Sequence, residues 1–289
     1  MNYIQNKIKK ILLVSILTVS LLFIWIYPVA ANDALYGTVA KVKYLMGEYE
    51  RAGNLEVFTN KSDKKTHTLR KETIDALNRM IEAYEYDRDR EGESKQDIFI
   101  VSAHRSYADQ KSIWEQKYKG TRKMRESVEG KTPEQIINLI LEYSSAPGTS
   151  RHHWGTDFDI NVLQNEYYRE NGKGAFLYNW LQKKAAKFGF CQPYNDRSTR
   201  GNQGYKEEKW HWSYAPIANQ LQKDWEESFK NKEITFAGKF SGSDLLNDRP
   251  LEYVTSINPD CAIITGQKKK TETPPEKKSV VEKFFDMIF

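Results

Sequence analysis

Two short stretches limit the fold of this chain more than any other feature. In "TDFDINV", Thr156 to Val162, the residues alternate: Phe158, Ile160 and Val162 fall on one side, Asp157, Asp159 and Asn161 on the other. In "KWHWSY", Lys209 to Tyr214, Trp210, Trp212 and Tyr214 stand opposite His211 and Ser213. A repeat of two is that of a β-strand with one face on a core. Each stretch therefore predicts a half-buried strand whose second face carries acids or a histidine.

The remaining elements read as helices with a few short strands. "DIFIVSA", Asp97 to Ala103, is a short apolar run rich in β-formers and predicts a buried strand. "THTLRKETIDALNRMIEAYEY" predicts one helix, with Leu69, Ile74, Leu77, Met80, Ile81 and Tyr84 mainly on one face. "YADQKSIWEQKYKG" and "AFLYNWLQKKAAKFGF" predict two more, closed near Gly120 and Gly189. In "TPEQIINLILEY", Thr132, Pro133 and Gln135 form a capping box ahead of an apolar run. Residues 32 to 67 read as loop-rich, with "NKSDKK" a solvated turn and His67 in an exposed polar loop. Past about residue 230 the pattern weakens, and 233 to 264 are expected to add a strand and a helix. Helices and strands in irregular order, without a repeat, indicate an α+β domain rather than a βαβ series.

The chain of 289 residues opens with Lys7, Lys9 and Lys10, followed by an uncharged apolar run from Ile11 to Ala31. Residues 1–31 therefore read as an export signal, cleaved after Val29-Ala30-Ala31, or as an uncleaved membrane anchor. Either reading places the rest outside the cytoplasm, in the periplasm or cell envelope. Residues 32–266 form the expected folded unit. Residues 267–289 form a charged, Pro-containing linker and a short amphipathic tail. A net charge of +5, with Lys and Arg interspersed among Asp and Glu, excludes a dedicated nucleic-acid binder. It suits an anionic partner such as a cell-wall polymer or a membrane surface. The two cysteines, Cys191 and Cys261, exclude a cysteine-based zinc knuckle. They form either a disulfide, in keeping with an exported protein, or two buried thiols.

The chemistry is concentrated in "SRHHWGTDFDI", Ser150 to Ile160, which holds two of the five histidines of the chain. A hydrolytic zinc site built without cysteine needs three N/O ligands, an open position and a nearby base. His152, Asp159 and His211 supply the ligand types, provided that the two alternating strands are neighbours. Glu208, just before the second strand, is placed to act as the base. Asp157 shares a face with Asp159, so spacing alone leaves it open as a ligand or as a group that orients one. His104 reads as structural or as lining the cleft, and His153 has no role from spacing.

Ser150, His152, Gly155 and Asp159, followed by Glu208, Trp210 and His211, match S-x-H-x-x-G-x-x-x-D and E-x-W-H. Arg105, Ser106 and Gln110 match a third element, R-S-x-x-x-Q, placed after a strand. In these motifs the chain resembles the VanY-type D-alanyl-D-alanine carboxypeptidases, of the group that includes lysostaphin-like peptidases and the hedgehog signalling domain. The resemblance covers about Tyr44 to Tyr214. It implies a small central antiparallel sheet flanked by helices and one Zn2+ held by His152, Asp159 and His211. It implies Glu208 as base and Arg105 in the site, for a terminal carboxylate or the developing oxyanion. Ser150, Ser106 and Gln110 are expected substrate contacts. The implied reaction is removal of the C-terminal D-alanine from peptidoglycan stem peptides. An L,D-carboxypeptidase, a D-Ala-D-Ala dipeptidase, an endopeptidase or a zinc-containing cell-wall binding module would carry the same motifs. Many members have Pro where this chain has Lys209.

Overall fold

The computed structural model describes residues 35–50, 52–92 and 96–264. The apolar run of residues 1–31 and the tail of residues 267–289 lie outside them. Among the described residues no helix is long and apolar enough to cross a membrane.

The fold is α+β. A short helix α1 (Lys41–Met46) precedes a hairpin of β1 (Leu55–Thr59) and β2 (Thr66–Arg70), then a long helix α2 (Lys71–Glu91). The expected helix over 66–86 thus begins only at Lys71. Its first five residues pair with β1 in a regular antiparallel register, from Leu55 with Arg70 to Thr59 with Thr66. Thr66, Thr68 and the adjoining turn residues favour that hairpin over a helix start. His67 is accordingly a half-buried strand residue, not one in an exposed loop.

After β3 (Ile100–Ser102) come α3 (Tyr107–Tyr118) and α4 (Pro133–Leu141). The box at Thr132 forms in full, with Thr132 Oγ1 accepting from Gln135 N–H and the Gln135 side chain accepting from Thr132 N–H. A 3₁₀ turn, Arg151–Trp154, leads into β4 (Asp157–Ile160). Then follow α5 (Ala175–Lys184), β5 (Phe190–Cys191), β6 (His211–Tyr214), α6 (Ala215–Lys230), α7 (Arg249–Thr255) and α8 (Asp260–Ile263). Helix α6 lies where the sequence pattern suggested nothing definite. The strand expected within 233–264 is absent, replaced by turns and the two short helices.

Four strands make one antiparallel sheet in the order β3-β4-β6-β5. Phe158, Ile160 and Trp212 join Leu77, Met80 and Tyr84 of α2 and Leu177 and Leu181 of α5 in one core. The second core gathers α1, α3, α4 and α6 around Trp114, Trp154 and Trp225. Asp157 to Ile160 are all buried, so β4 is not the half-buried strand that its alternation predicts. The alternation is present, but the acid face is covered by structure instead of water. Strand β4 also stops at Ile160, because Asn161 takes a left-handed φ of 50°. Its side-chain amide then donates to Asp97 O.

Cys191 and Cys261 are disulfide-bonded. The bridge ties β5, at the edge of the sheet, to α8.

Candidate active site

Register brings the key side chains together. Asp159 of β4 pairs directly with His211 of β6, and Asp157 pairs with Ser213. Period-two geometry places all four on one sheet face. His152 arrives from the 3₁₀ turn before β4. That turn closes at Gly155, whose φ is +69°. A Cβ there would lie 2.5 Å from Leu55 Cδ2 and 3.2 Å from Arg70 N, so only glycine lets the turn pack on the β1–β2 hairpin.

The donor atoms of His152, Asp159 and His211 all lie within 4.8 Å of one another, and all three residues are buried. His152 Nε2 is 3.5 Å from Asp159 Oδ2, and His211 Nδ1 is 3.2 Å from Asp159 Oδ1. Metal–ligand bonds of about 2.0–2.1 Å at tetrahedral angles set donors about 3.3 Å apart, so both separations fit zinc. The far nitrogens are committed elsewhere: His152 Nδ1–H donates to Ala103 O at 2.8 Å and His211 Nε2–H to Asp157 Oδ2 at 3.0 Å. These bonds leave a lone pair on each inner nitrogen, as ligation requires. Buried Asp159 Oδ1 accepts no well-aligned hydrogen bond among the described residues. The donor set therefore fits a divalent cation.

Glu208 is buried, its Oε2 3.3 Å from His211 Nδ1. Burial pushes its carboxyl up, with His211 opposing. Burial alone would lower His211, but the hydrogen bond to Asp157 and the close carboxylates of Asp159 and Glu208 outweigh it and hold the imidazole well above its ordinary range. Asp159 and Asp157 are held well below the carboxylate range against the burial that opposes this, Asp159 chiefly by His152 and Asp157 chiefly by Arg151. Three carboxylates thus crowd one imidazole, a surplus of negative charge that suits a divalent cation.

Arg105 shares a cavity of about 570 Å³ with His152, Asp159, Glu208 and His211. Its guanidinium donates to Gln110 Oε1 at 2.6 Å and to Ser102 Oγ at 3.0 Å. Gln110, expected at the substrate, is fully buried behind Arg105, its amide donating to Ser145 O at 2.6 Å. Ser106, also expected there, is the N-cap of α3, accepting from Asp109 N–H and donating to its carboxylate. The third expected contact, Ser150, is buried, its Oγ has no hydrogen-bond partner among the described residues, and it lies outside the cavity lining.

The structure gives His153 and Asp157 their places. His153 is a strut: its Nδ1–H donates to Arg105 O at 2.6 Å and its Nε2 accepts from Gly148 N–H at 3.1 Å. Complete burial pushes its pKa down to about 3. Asp157 Oδ2 accepts from His211 and, at 2.9 Å, from Arg151 Nε, while Oδ1 accepts from Ser213 and Thr156. Arg151 has no role in the sequence reading. An arginine inside a motif that carries an extra aspartate was the available signal. His104 lies against Tyr49, its Nε2 3.1 Å from the phenol oxygen. Lys209 donates its N–H to Asn165 Oδ1 at 3.0 Å, a bond that proline could not make.

Among solved structures the chain is similar to a vancomycin-resistance D,D-pentapeptidase VanY mutant from a VanB-type resistance cassette with Zn(II). Identity is 22%, the match covers 59% of this chain and 83% of that one, and the TM-score is 0.41. It is similar to VanYB in complex with D-alanine-D-alanine, at 22% identity, 65% and 92% coverage and a TM-score of 0.43. It is also similar to the LdcB LD-carboxypeptidase, at 25% identity, 64% and 80% coverage and a TM-score of 0.42. No curated protein matches it. The model of the VanY family, D-alanyl-D-alanine carboxypeptidase, matches residues 66–217, over half of the chain, and spans every residue of the site. The chain belongs to the VanY family of D-alanyl-D-alanine carboxypeptidases.

Proposed function

We propose that this protein is an exported zinc metallopeptidase that removes the C-terminal D-alanine from peptidoglycan stem peptides. The observation that carries the reading is the convergence of His152, Asp159 and His211 with Glu208 and Arg105 in one cavity. His152, Asp159 and His211 would hold one zinc ion. Bound there, zinc supplies Lewis acidity toward water and the scissile carbonyl. Glu208, raised by burial, takes the proton of the attacking water and returns it to the leaving amine. Arg105, oriented by Gln110 and Ser102, binds the terminal carboxylate or the developing oxyanion. Asp157 keeps the proton of His211 on Nε2, away from the donor face. Export is supported by the Cys191–Cys261 disulfide and by the basic and apolar composition of residues 1–31.

The test pairs metal analysis with product analysis. The purified protein is expected to hold one zinc and to release D-alanine from defined stem pentapeptides, followed by mass spectrometry. Glu208→Gln is expected to keep its zinc while hydrolysis falls by about 10²–10⁴-fold, the span of a lost general base. Release of a dipeptide, or cleavage within a cross-link, would replace the carboxypeptidase by a dipeptidase or an endopeptidase. Zinc without any hydrolysis would favour a cell-wall binding module.

A further inference from the structure

The cavity carries more positive charge than one terminal carboxylate needs. Besides Arg105, its lining includes Lys117 at the end of α3 and Arg122, Lys123 and Arg125 from the segment between α3 and α4. Among the described residues none of these five cations has a carboxylate partner at salt-bridge distance. The nearby acids face other groups: Glu142 pairs with Lys206 at 2.7 Å and Glu126 with Lys131 at 3.2 Å, while Asp159 and Glu208, also in the lining, lie 3.2 and 3.3 Å from His211 Nδ1.

Two of the cations are held in place. The Lys117 ammonium donates to Ser144 Oγ, and Arg125 stacks on Tyr143 with its guanidinium 4.4 Å from the ring centroid. Burial, followed by repulsion from Arg122, pushes Lys117 down to about 8, with Glu208 opposing and Arg105 adding to the repulsion. Five cations without a carboxylate at salt-bridge distance, gathered in a partly enclosed cavity, repel one another, and an anion entering from outside relieves that repulsion.

We propose that Lys117, Arg122 and Arg125 form a second anion subsite that recognises a free carboxylate on the amino side of the scissile bond. The inference rests on the carboxypeptidase reading. With one D-alanine leaving, the only carboxylate beyond the scissile bond is the terminal one, opposite Arg105. Any further carboxylate of the substrate lies upstream. In a stem peptide two groups can supply it: the α-carboxylate of a γ-linked glutamate, or the free carboxylate of a diamino diacid.

The test uses stem pentapeptides ending in D-Ala-D-Ala, identical except for amidation of one or the other upstream carboxylate. Binding to the full-length Glu208→Gln protein is measured by calorimetry, and D-alanine release by the wild type is measured in parallel. The free acid is expected to bind about tenfold more tightly than its amide, the worth of a charge-assisted hydrogen bond of about 1.4 kcal/mol. In Arg122→Gln/Arg125→Gln, two exposed positions, and in Lys117→Met, the preference is expected to shrink toward unity. Arg122→Lys/Arg125→Lys is expected to retain most of it. The arm whose amidation abolishes the preference identifies the carboxylate. Equal binding of acid and amide, a preference that survives undiminished in both Arg122→Gln/Arg125→Gln and Lys117→Met, or binding of neither peptide overturns the inference. A binding preference without D-alanine release overturns the carboxypeptidase reading alone.

Discussion

Asp157→Asn isolates the charge behind the site. Asp157 Oδ2 serves both Arg151 and His211, and an amide oxygen can take its place. The amide NH2 then faces Ser213 Oγ and Thr156 Oγ1, which can accept. Shape and the acceptor for Arg151 and His211 are kept, while the negative charge and the acceptor of the Ser213 and Thr156 hydroxyls are lost. Arg151, only 1% exposed, is left with Gln222 at 2.7 Å and Ser213 at 2.8 Å as neutral partners. Breaking a buried ion pair costs roughly 3–5 kcal/mol, and the retained acceptor places this case at the low end, about 3 kcal/mol. For a domain of this size that is a fall in Tm of about 6–12 °C. His211 also loses its charged orienting partner, which weakens zinc by about tenfold. Urea unfolding of the chelator-treated protein, followed by tryptophan fluorescence, reads the first effect. Competition with a chromophoric chelator reads the second. In the Asp157→Asn/Arg151→Met double variant the uncompensated charge is gone, so the double loss is expected to be smaller than the sum of the single losses by at least about 1 kcal/mol. A single variant within about 0.5 kcal/mol of wild type, the range of an ordinary surface change, would refute the buried ion-pair argument. Unchanged zinc affinity would refute the orienting role.

Two more predictions concern stability. The Cys191–Cys261 bridge spans 70 residues, so Cys191→Ser/Cys261→Ser is expected to lose roughly 2–4 kcal/mol by constraint of the unfolded chain; denaturant midpoints with and without reductant check this. Burial pushes His104 down to about 4, below the ordinary histidine value near 6.5. The unfolded chain therefore binds a proton that the folded protein refuses: the contribution is complete above about pH 6.5 and is lost as pH falls toward 4. His104→Phe, which can still stack on Tyr49, is expected to make the acid limb of stability against pH shallower by up to about 1.4 kcal/mol per pH unit. An unchanged slope in chelator-treated protein counts against the effect.

What the sequence determined by itself was local: the alternation of Asp159 and His211 with apolar neighbours and the capping box at Thr132. Each depends on residues a few positions apart, where period, caps and backbone sterics act directly. The motif resemblance added a ligand set that spacing could not single out, since Asp157 and Asp159 share a strand face. Tertiary structure decided what depends on distant neighbours. Thr66 to Arg70 became a strand because β1 was there to pair with it. The acid face of β4 became buried because a second helical core closed over it. Gln110 and Ser106 were drawn away from the cavity, one to hold Arg105 and the other to cap α3. His153 acquired its place only when residues 105 and 148 came within reach of its two nitrogens. Arg151 became the counter-charge of Asp157 only because the fold excluded water from both. Burial is a property of the assembled chain, and it is burial that turns ordinary acids and histidines into a site with oriented protons and a surplus of negative charge.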